Sequence, residues 1–505
     1  MRDHIQNTTD YSQNNAIGTR RVGKQSTAPL TAKGSPKVPV VLVQFNDLKF
    51  TVEDSEEAVQ QNYYKFCNGN GIGGEPYRIS GGIYGSVLEY FSAQSDSQFQ
   101  PLFTVIGPVT LSNGYAYYGK GRNDQNIGKF YAEACKLAVN QFEINWNDFD
   151  NNNDGLVDFI YFIYAGRGAN ESGADENYIW PKEGTSTLTI TTGTETIMFG
   201  AYGCSAELVG LYDTHENLMT QQDGIGTICH EISHGLGLPD FYDTSGNQKP
   251  CMDYWDLMDS GAYQIMANMP CEYTAYERDF MGWRPLKEVT KDESVTLTLE
   301  PMETGGFGYK IVNDTDPSGN DYFILENKQS IGFDMYLGYP HNSYYYKYQY
   351  KNHGLLITHV RYSEDAWSTN AVNYLNNSAA QPRMTIVPAD GELLSNLLEG
   401  FTDKFFTSFS GDLFPGRLNV ESMVNNESYP TLLQQIITGI SEDETTKTIT
   451  VKINDGSIPD AINGLAAQKA DIQEIFSPAG LKREEMQKGI NIVRYNDGTV
   501  RKVKK

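Results

Sequence analysis

A short stretch near the middle of the chain combines residue types that bind metal ions and move protons. His230 and His234 stand four residues apart, and Glu231 directly follows the first of them. On an α-helix, residues four apart share a face, so both imidazoles can bind one divalent cation. Glu231 would then act as a base on a water held by that cation. The spacing predicts a metal-dependent hydrolytic site. The alternative is an ordinary amphipathic helix whose polar face meets solvent.

The residues around this pair must position it. One face of the predicted helix carries a stripe of apolar residues, namely Ile225, Ile228, Cys229, Ile232 and Leu236. That stripe would anchor the helix in a core while the histidines face an open site. Gly237 is predicted to end the helix with a positive φ, so that the chain turns and brings Asp240 back as a third ligand. Asp243 offers the same carboxylate slightly further on and stays as an alternative.

The pattern His-Glu-x-x-His-x-x-Gly-x-x-Asp over residues 230–240 resembles the zinc motif of the metzincin metallopeptidases. Metzincins also have a methionine turn beneath the metal, and residues 254–261 are similar to it, with Met258 as the methionine. The amino-acid sequences of both segments are most similar to those of the immune inhibitor A peptidases, the M6 family. This resemblance covers about residues 38–440 and is strongest over residues 148–283.

The resemblance implies a secreted, zinc-dependent endopeptidase that cleaves protein substrates bound in an extended conformation. Zn²⁺ would be held by His230, His234 and Asp240, and Glu231 would assist attack by a zinc-bound water on the peptide carbonyl. Some metzincins carry an auxiliary tyrosine two residues after the methionine. Ser260 occupies that position here. Tyr263 is nearby but out of register, so this role stays open.

A second group of oxygen-bearing side chains precedes the site in the sequence. A calcium loop would take its ligands at alternating positions around Gly155. These positions are Asp150, Asn152, Asp154, Leu156 (through its carbonyl) and Asp158. The last ligand position of an EF-hand is occupied by Tyr161 rather than Glu, so a complete EF-hand is not expected. We predict a structural Ca²⁺ site, with a solvated Asx-rich turn as the alternative.

Composition narrows the class of protein. The chain has 505 residues and a net charge of −25, which argues against nucleic acid as a partner. No apolar run approaches the length of a transmembrane segment. The six cysteines lack Cys-x-x-Cys spacing, which argues against a thiolate zinc site. A disulfide between Cys251 and Cys271, which bracket the methionine turn, stays open.

The sequence predicts an α+β fold with a metzincin-like catalytic domain followed by a β-sandwich or jelly-roll-like domain. We expect a flexible leader or propeptide remnant at 1–37, the catalytic domain at 38–285, the β-rich domain at 286–455 and a C-terminal tail at 456–505. Residues 38–45 form one apolar run, which is typical of a strand buried on both faces. Residues 196–202 are a candidate edge strand, and the resemblance to metzincins implies that this strand pairs with an extended substrate. Residues 129–141 and 270–282 are predicted helices.

The β-rich half leaves two features open. His359 either belongs to a second metal site or is a strand histidine near a domain interface, and no second ligand cluster accompanies it. The tyrosine cluster at 344–350 either binds glycans or a partner protein, or packs as a strand. These features support an alternative function, a cell-surface glycan- or protein-binding protein with a vestigial peptidase site. The intact His230, Glu231 and His234 count against that alternative.

The end of the chain bears on location. Residues 489–494 and 498–503 predict a basic hairpin, which resembles short C-terminal segments on exported proteins of Bacteroidetes bacteria. Met1 is not followed by the apolar core of a signal peptide. Either the protein is cytosolic or a signal has been removed, and the tail favours a secreted or cell-surface protein, with association with the bacterial surface as one form of it.

Overall fold

The structure is a computed structural model. It describes residues 28–454 except for 76–77, 80–82, 120–123, 125, 171–176, 194, 213–217, 291–293, 314–315, 338–351, 369–371, 376–379, 395–402 and 424–436. Beyond residue 454 it describes 472–477, 482–483, 488, 490–495 and 500–504. Helices and strands are mixed, and the strands form several separate sheets.

A six-stranded sheet organises the N-terminal half. The strands of this half are β1 (Lys37–Gln44), β2 (Arg78–Ile79), β3 (Ile83–Tyr84), β4 (Leu102–Thr110), β5 (Val157–Arg167), β6 (Lys182–Thr192), β7 (Glu195–Tyr212) and β8 (Leu218–Gln222). The order across the sheet is β4-β1-β5-β7-β6, and β8 also pairs with β7. Neighbours from β4 to β7 are parallel, whereas β6 and β8 run antiparallel to β7. The first, apolar strand is buried on both faces, as predicted.

Helices cover both faces of this sheet. The α-helices of this half are α1 (Glu56–Asn68), α2 (Val87–Gln94), α3 (Tyr115–Gly119), α4 (Ile127–Gln141), α5 (Ile225–Gly235) and α6 (Ala275–Phe280). Short 3₁₀ helices lie at Trp146–Phe149, Asp253–Trp255 and Ser260–Tyr263. Apolar residues of α4 share one core with Val41 and Val43 of β1, while α1, α2 and α5 share another with Val40 and Leu42. Alternate residues of one strand thus serve two cores.

Two predicted elements differ in the structure. The predicted edge strand at 196–202 is wrong in its position, because these residues belong to β7, which lies between β5 and β6. The antiparallel edge strand is β6, whose Thr-rich half is largely exposed. The helix predicted at 270–282 is also shorter and spans Ala275–Phe280. It begins there because Thr274 and Glu277 form a capping box.

Residues 28–36 pack onto the fold, so packed structure begins before the boundary predicted at residue 37, although the first strand begins only at Lys37. Leu30 and Ala32 are buried, and Leu30 donates its N–H to the carbonyl of Gly235 at the end of α5 (3.0 Å). The indole N–H of Trp283 donates to the carbonyl of Ala32 (2.6 Å). All six cysteines are buried free thiols, so the disulfide considered between Cys251 and Cys271 is absent from this structure.

The C-terminal half contains two further sheets that share a core. Its elements are β9 (Lys287–Val289), β10 (Val295–Leu299), β11 (Tyr309–Val312), β12 (Asp321–Lys328), β13 (Gly354–Arg361), α7 (Glu364–Ser368), β14 (Met384–Ile386), α8 (Asp403–Phe409), β15 (Ile437–Asp443) and β16 (Thr448–Ile453), with 3₁₀ helices at Met302–Thr304 and Gly332–Tyr336. A five-stranded sheet, β14-β13-β12-β11-β9, and a three-stranded sheet, β10-β16-β15, contribute to one apolar cluster. Other residues of this half join the core that contains α5.

The tail forms a small sheet of its own. Its strands are β17 (Ile472–Phe476), β18 (Lys482–Arg483), β19 (Ile490–Tyr495) and β20 (Val500–Lys504), in the order β18-β17-β19-β20. The last two pair antiparallel, which confirms the predicted hairpin. Among the described residues, no helix is both long enough and apolar enough to span a membrane.

Candidate metal centre and active site

Helix α5 holds the two histidines because its other face is anchored. The predicted apolar stripe is buried in the core that α5 shares with the central sheet. Gly237 has φ 99°, a left-handed conformation that favours glycine, and its N–H donates to the carbonyl of His234 (2.7 Å). The N–H of Leu238 donates to the carbonyl of Ser233 (3.0 Å). The chain therefore reverses at the predicted glycine.

This turn brings Asp240 to the two histidines. Its Oδ1 lies 3.3 Å from His230 Nε2 and 3.2 Å from His234 Nε2. Within the part of the chain that the structure describes, these residues form one of two groups whose ligand atoms all lie within 4.8 Å of one another. Asp243 is engaged elsewhere, since it accepts hydrogen bonds from Ser245 and from the N–H of Lys249. The structure thus places Asp240, rather than the alternative Asp243, next to the two histidines.

The hydrogen bonds of the two imidazoles indicate what this arrangement needs. His230 Nδ1 lies 2.8 Å from the carbonyl of Leu257, and His234 Nδ1 lies 2.8 Å from the carbonyl of Leu238. A carbonyl only accepts, so each Nδ1 carries the hydrogen and each neutral ring has its lone pair on Nε2. Two nitrogen lone pairs and a carboxylate oxygen then point toward one another. A cation bound between them would remove the repulsion among these three atoms. Two imidazoles and one carboxylate fit Zn²⁺ and leave a fourth position for water or substrate.

Glu231 lies beside this group and is only 3% exposed. Burial raises the pKa of its carboxyl to about 8, although the neighbouring His230 acts in the opposite direction. Nearby negative charge on Asp240 and Glu183 raises this pKa further. A bound divalent cation would favour the ionised carboxylate, which is the form that accepts a proton.

A cavity of about 20 Å³ opens beside His230 and Glu231, which is room for roughly one water molecule. It is lined by Asn170, Trp180, Pro181, His230, Glu231, Tyr242, Asp259 and Tyr263. Trp180 and Pro181 directly precede edge strand β6, so that strand begins at the cavity. The residues of the predicted metal helix therefore share one small space with residues from four other segments.

Sequence reasoning missed several of these cavity residues. Tyr242 follows Asp240 by two positions, and its phenol group interacts with the Asp240 carboxylate. Burial first, and then that carboxylate, raise the pKa of Tyr242. Tyr263, considered out of register, does line the cavity, where its hydroxyl interacts with the side chain of Asn170. Ser260 instead donates its hydroxyl hydrogen to Asp259 Oδ1 (3.1 Å). No local spacing signalled Asn170, because it approaches from a distant loop.

The segment predicted as a methionine turn lies against the same group. Met258 is wholly buried, and its carbonyl accepts the N–H of Phe241, the residue after Asp240 (2.9 Å). Asp256 Oδ1 accepts the N–H of Met258 (2.7 Å), and Leu257 provides the carbonyl that orients His230. The turn therefore contacts both the helix histidine and the loop that carries Asp240.

The predicted calcium loop forms the second group of convergent ligands. Oxygens of Asp150, Asp154 and Asp158 all lie within 4.8 Å of one another. Burial raises the pKa of Asp158 to about 6, and repulsion from Asp154 and Asp150 adds to that rise. The buried Asp158 Oδ1 accepts no hydrogen bond, while its Oδ2 accepts two from Asn151 (3.0 Å each).

The two other predicted calcium ligands contact the loop itself. Asn152 Oδ1 accepts the N–H of Asp154 (2.8 Å), and the N–H of Leu156 donates to Asp154 Oδ1 (3.0 Å). The loop is thus curled around its own carboxylates, with three of its five predicted ligands facing one another.

His359 belongs to neither group. Its Nε2 lies 2.9 Å from Asp321 Oδ1, and its ring stacks on Phe323 with centroids 4.7 Å apart. It therefore fits the prediction of a strand histidine. The tyrosine cluster at 344–350 lies outside the described residues.

Comparisons with known proteins place the chain in a family. A family model for the catalytic domain of immune inhibitor A, peptidase M6, matches residues 25–284, just over half of the chain. Immune inhibitor A of Bacillus thuringiensis subsp. alesti is 26% identical over 319 residues, which cover 53% of this chain and 44% of that protein. Pre-pro-metalloprotease PrtV of Vibrio cholerae serotype O1 (strain M66-2) is 24% identical over 284 residues, which cover 49% of this chain and 30% of that protein. The matched region is thus less than half the length of either relative.

Proposed function

The chain belongs to the immune inhibitor A peptidase M6 family, and we propose that it is a zinc-dependent endopeptidase that hydrolyses peptide bonds in proteins. The observation that carries this proposal is the convergence of His230 Nε2, His234 Nε2 and Asp240 Oδ1 beside a buried glutamate. We assign these three residues as the zinc ligands. A protease name for one relative and a family of metallopeptidases support protein substrates for this chain as well.

The residues of the chain divide the chemistry among them. Bound by these three ligands, Zn²⁺ would polarise the scissile carbonyl and lower the pKa of water toward neutrality. Glu231 accepts the proton of the attacking water as the new carbon–oxygen bond forms. It then donates that proton to the leaving amine nitrogen as the carbon–nitrogen bond breaks. The carbonyls of Leu257 and Leu238 keep both imidazoles in the tautomer that presents Nε2 to the ion.

We further propose that the catalytic half is metzincin-like. Support comes from the antiparallel edge strand next to the cavity, the glycine turn at Gly237 and the buried Met258 beside the ligands. Met258 would pack beneath the histidines rather than bind the ion. The free edge of β6, which begins just after Pro181, is then the place for an extended substrate to pair. This assignment replaces the strand at 196–202 as the substrate strand.

The remaining assignments extend the same proposal. We assign 38–285 as the catalytic domain, 286–455 as a β-rich domain whose two sheets share a core, as in a sandwich, and 456–505 as a tail. The packed residues 28–36 and Lys37, the first residue of β1, join the catalytic domain, and the match from residue 25 supports that placement. The loop at 150–158 would bind a structural Ca²⁺. The tail resemblance supports a secreted or cell-surface location.

The test separates catalysis from metal binding. Glu231→Ala should keep one bound zinc per chain, because this side chain is not an assigned ligand. Its rate of casein cleavage should fall by about 10²- to 10⁴-fold, since the group that carries the proton is gone. Zinc is measured by elemental analysis, and cleavage by release of labelled peptides. Full activity in this variant would rule out the mechanism.

Two aspartates give a matched control for the metal site. Asp240→Asn should weaken zinc binding, whereas Asp243→Asn, altered in the same loop by the same change, should bind zinc as the parent does. The converse result would transfer the third ligand to Asp243. A wild-type protein that binds no zinc would contradict the proposal as a whole.

A further inference from the structure

The loop that carries Asp240 is held from two sides. The backbone N–H of Phe241 donates to the carbonyl of Met258 (2.9 Å), within the segment assigned as the methionine turn. The carbonyl of Phe241 accepts a hydrogen bond from Asn373 Nδ2 (2.7 Å). Asn373 comes from the C-terminal half, 132 residues further along the chain. Both polar backbone groups next to the third ligand are thus fixed by distant segments.

Asn373 is itself held rigidly. It is 0% exposed, and its Nδ2 also donates to the carbonyl of Met384 (2.8 Å). Its Oδ1 accepts the N–H groups of Arg383 (2.7 Å) and Met384 (3.1 Å). Carbonyls on one side and N–H groups on the other fix the orientation of the amide chemically. Its partners Arg383 and Met384 border and begin strand β14, so the amide joins the Asp240 loop to the sheet of the C-terminal half.

The same half also holds the methionine turn. The indole N–H of Trp255 donates to Asp412 Oδ2 (2.8 Å), and the Trp255 ring stacks on Phe409 with centroids 4.4 Å apart. The hydroxyl of Thr385 donates to the carbonyl of Cys251, just before the turn (3.1 Å). Both segments that pack against the α5 histidines therefore rest on side chains beyond residue 286.

We propose that Asn373 is a positioning residue that fixes the third metal ligand, so that the β-rich half is part of the metal site. This inference rests on the proposed function. A carboxylate ligand must sit within a few tenths of an ångström of its place for tight zinc binding. Without the Asn373 bond, the Phe241 carbonyl loses its partner and Asp240 samples positions away from both histidines. Residues that orient ligands in this way typically contribute about 10- to 100-fold in metal affinity.

The chain offers a matched control for the experiment. Asn327 is also 0% exposed, and its Nδ2 also donates to two carbonyls, those of Leu299 and Lys447 (2.8 Å each). Those partners lie in the β-rich half and not in the Asp240 loop. Asn373→Ala and Asn327→Ala therefore remove the same number of donors from equally buried sites, and they differ in whether the Asp240 loop loses one.

Three measurements are made on the full chain. The apoprotein is titrated with Zn²⁺ in competition with a chelator, unfolding is followed in urea, and casein cleavage is assayed over a range of added zinc. Both variants should lose stability, Asn373→Ala somewhat more, because its Oδ1 also accepts two backbone N–H groups whereas that of Asn327 accepts one side-chain N–H. Asn373→Ala alone should bind zinc about 10- to 100-fold more weakly. Excess zinc should restore much of its turnover, which it would not do for a variant lacking Glu231.

The contrary outcomes are distinct. Zinc affinity in Asn373→Ala within twofold of the parent, or an equal loss of affinity in Asn327→Ala, would overturn the positioning role. If Asn373→Ala does not fold, Asn373→Asp is measured instead; it keeps one acceptor oxygen and replaces the donor NH₂ with a second oxygen, which repels the carbonyls of Phe241 and Met384. If neither folds while Asn327→Ala does, Asn373 serves the whole fold and the inference fails. A parent protein that binds no zinc would instead contradict the proposed function.

Discussion

Asp158 is a buried carboxylate whose neighbours satisfy only one of its two oxygens. It is 5% exposed, with one carboxylate oxygen hydrogen-bonded to Asn151 and the other without a hydrogen-bond partner. Two further carboxylates face it, so the loop gathers negative charge that a Ca²⁺ ion would neutralise. We predict that Ca²⁺ at about 100 times its Kd raises the free energy of unfolding by roughly 2–3 kcal/mol. Urea unfolding with and without Ca²⁺ measures this.

Asp158→Asn should abolish that calcium effect while zinc binding stays unchanged. Asp148→Asn is the control, because Asp148 lies just outside the loop and pairs with Lys37 at the surface (2.8 Å). It should keep the full effect of calcium. A parent protein whose stability does not respond to Ca²⁺ would favour the Asx-rich turn. The convergence of Asp150, Asp154 and Asp158 could be predicted from the sequence because all three lie in one short segment.

At the scale of one element, helix α5 depends on a close approach at its start. The N–H of Gly226 donates to the carbonyl of Ala267 (2.7 Å), and a Cβ at this glycine would lie 1.8 Å from the carbonyl oxygen of Ala262. Two non-bonded atoms cannot remain this close, so Gly226→Ala must push α5 away from the 3₁₀ helix at Ser260–Tyr263. We predict a loss of about 1–3 kcal/mol in stability, together with weaker zinc binding. Urea unfolding and zinc titration measure the two effects.

Gly128 provides the comparison, since it is also the second residue of its helix. A Cβ there meets nothing within 4 Å, so Gly128→Ala should be neutral or stabilise the protein by about 0.4–1 kcal/mol. Equal effects of the two substitutions would show that α5 has room to move at Gly226, contrary to the contact described here.

The sequence predicted individual helices, strands and turns better than it predicted which elements lie next to one another. The His-Glu-x-x-His helix, the turn at Gly237 and the buried strand β1 follow from local spacing and apolar periodicity, and the structure has all three. The edge strand was misplaced because alternation in one segment does not reveal what pairs beside it. β7 is 18 residues long and pairs with β5, β6 and β8, whereas the edge belongs to the Thr-rich β6. The positions of Asn170 at the cavity and of Asn373 against the Asp240 loop could not be predicted for the same reason, since both residues come from distant segments.

For the molecule as a whole, a buried set of charges joins the two halves. Lys328 on β12 lies 2.9 Å from Asp334 Oδ2 and donates to the carbonyl of Glu272 (3.3 Å). Glu326, on the same strand, accepts the N–H of Ala275 at the start of α6 (2.7 Å). The domain boundary predicted between residues 285 and 286 did not reveal that residues on both sides of it belong to one apolar core.

The same junction makes stability depend on pH through Glu277. Burial raises the pKa of this carboxyl to about 7 from an ordinary value of 4.5, although hydrogen bonds from Thr274 act against the rise. Between these two values the folded protein binds a proton that the unfolded chain releases. The free energy of unfolding attributable to Glu277 therefore falls as pH rises from 4.5 to about 7 and is constant outside that window.

Glu277→Gln, which cannot ionise, should isolate this effect. Its stability relative to the parent should increase by roughly 1–3 kcal/mol between pH 4.5 and pH 8, because only the parent acquires the buried charge. The weaker cap on Thr274 shifts the variant by the same amount at every pH, so the slope of the difference reports the titration alone. Urea unfolding of the parent and of Glu277→Gln across this range measures it. A difference between Glu277→Gln and the parent that does not vary with pH would mean that Glu277 stays ionised in the folded protein, with Lys328 compensating its charge across the junction.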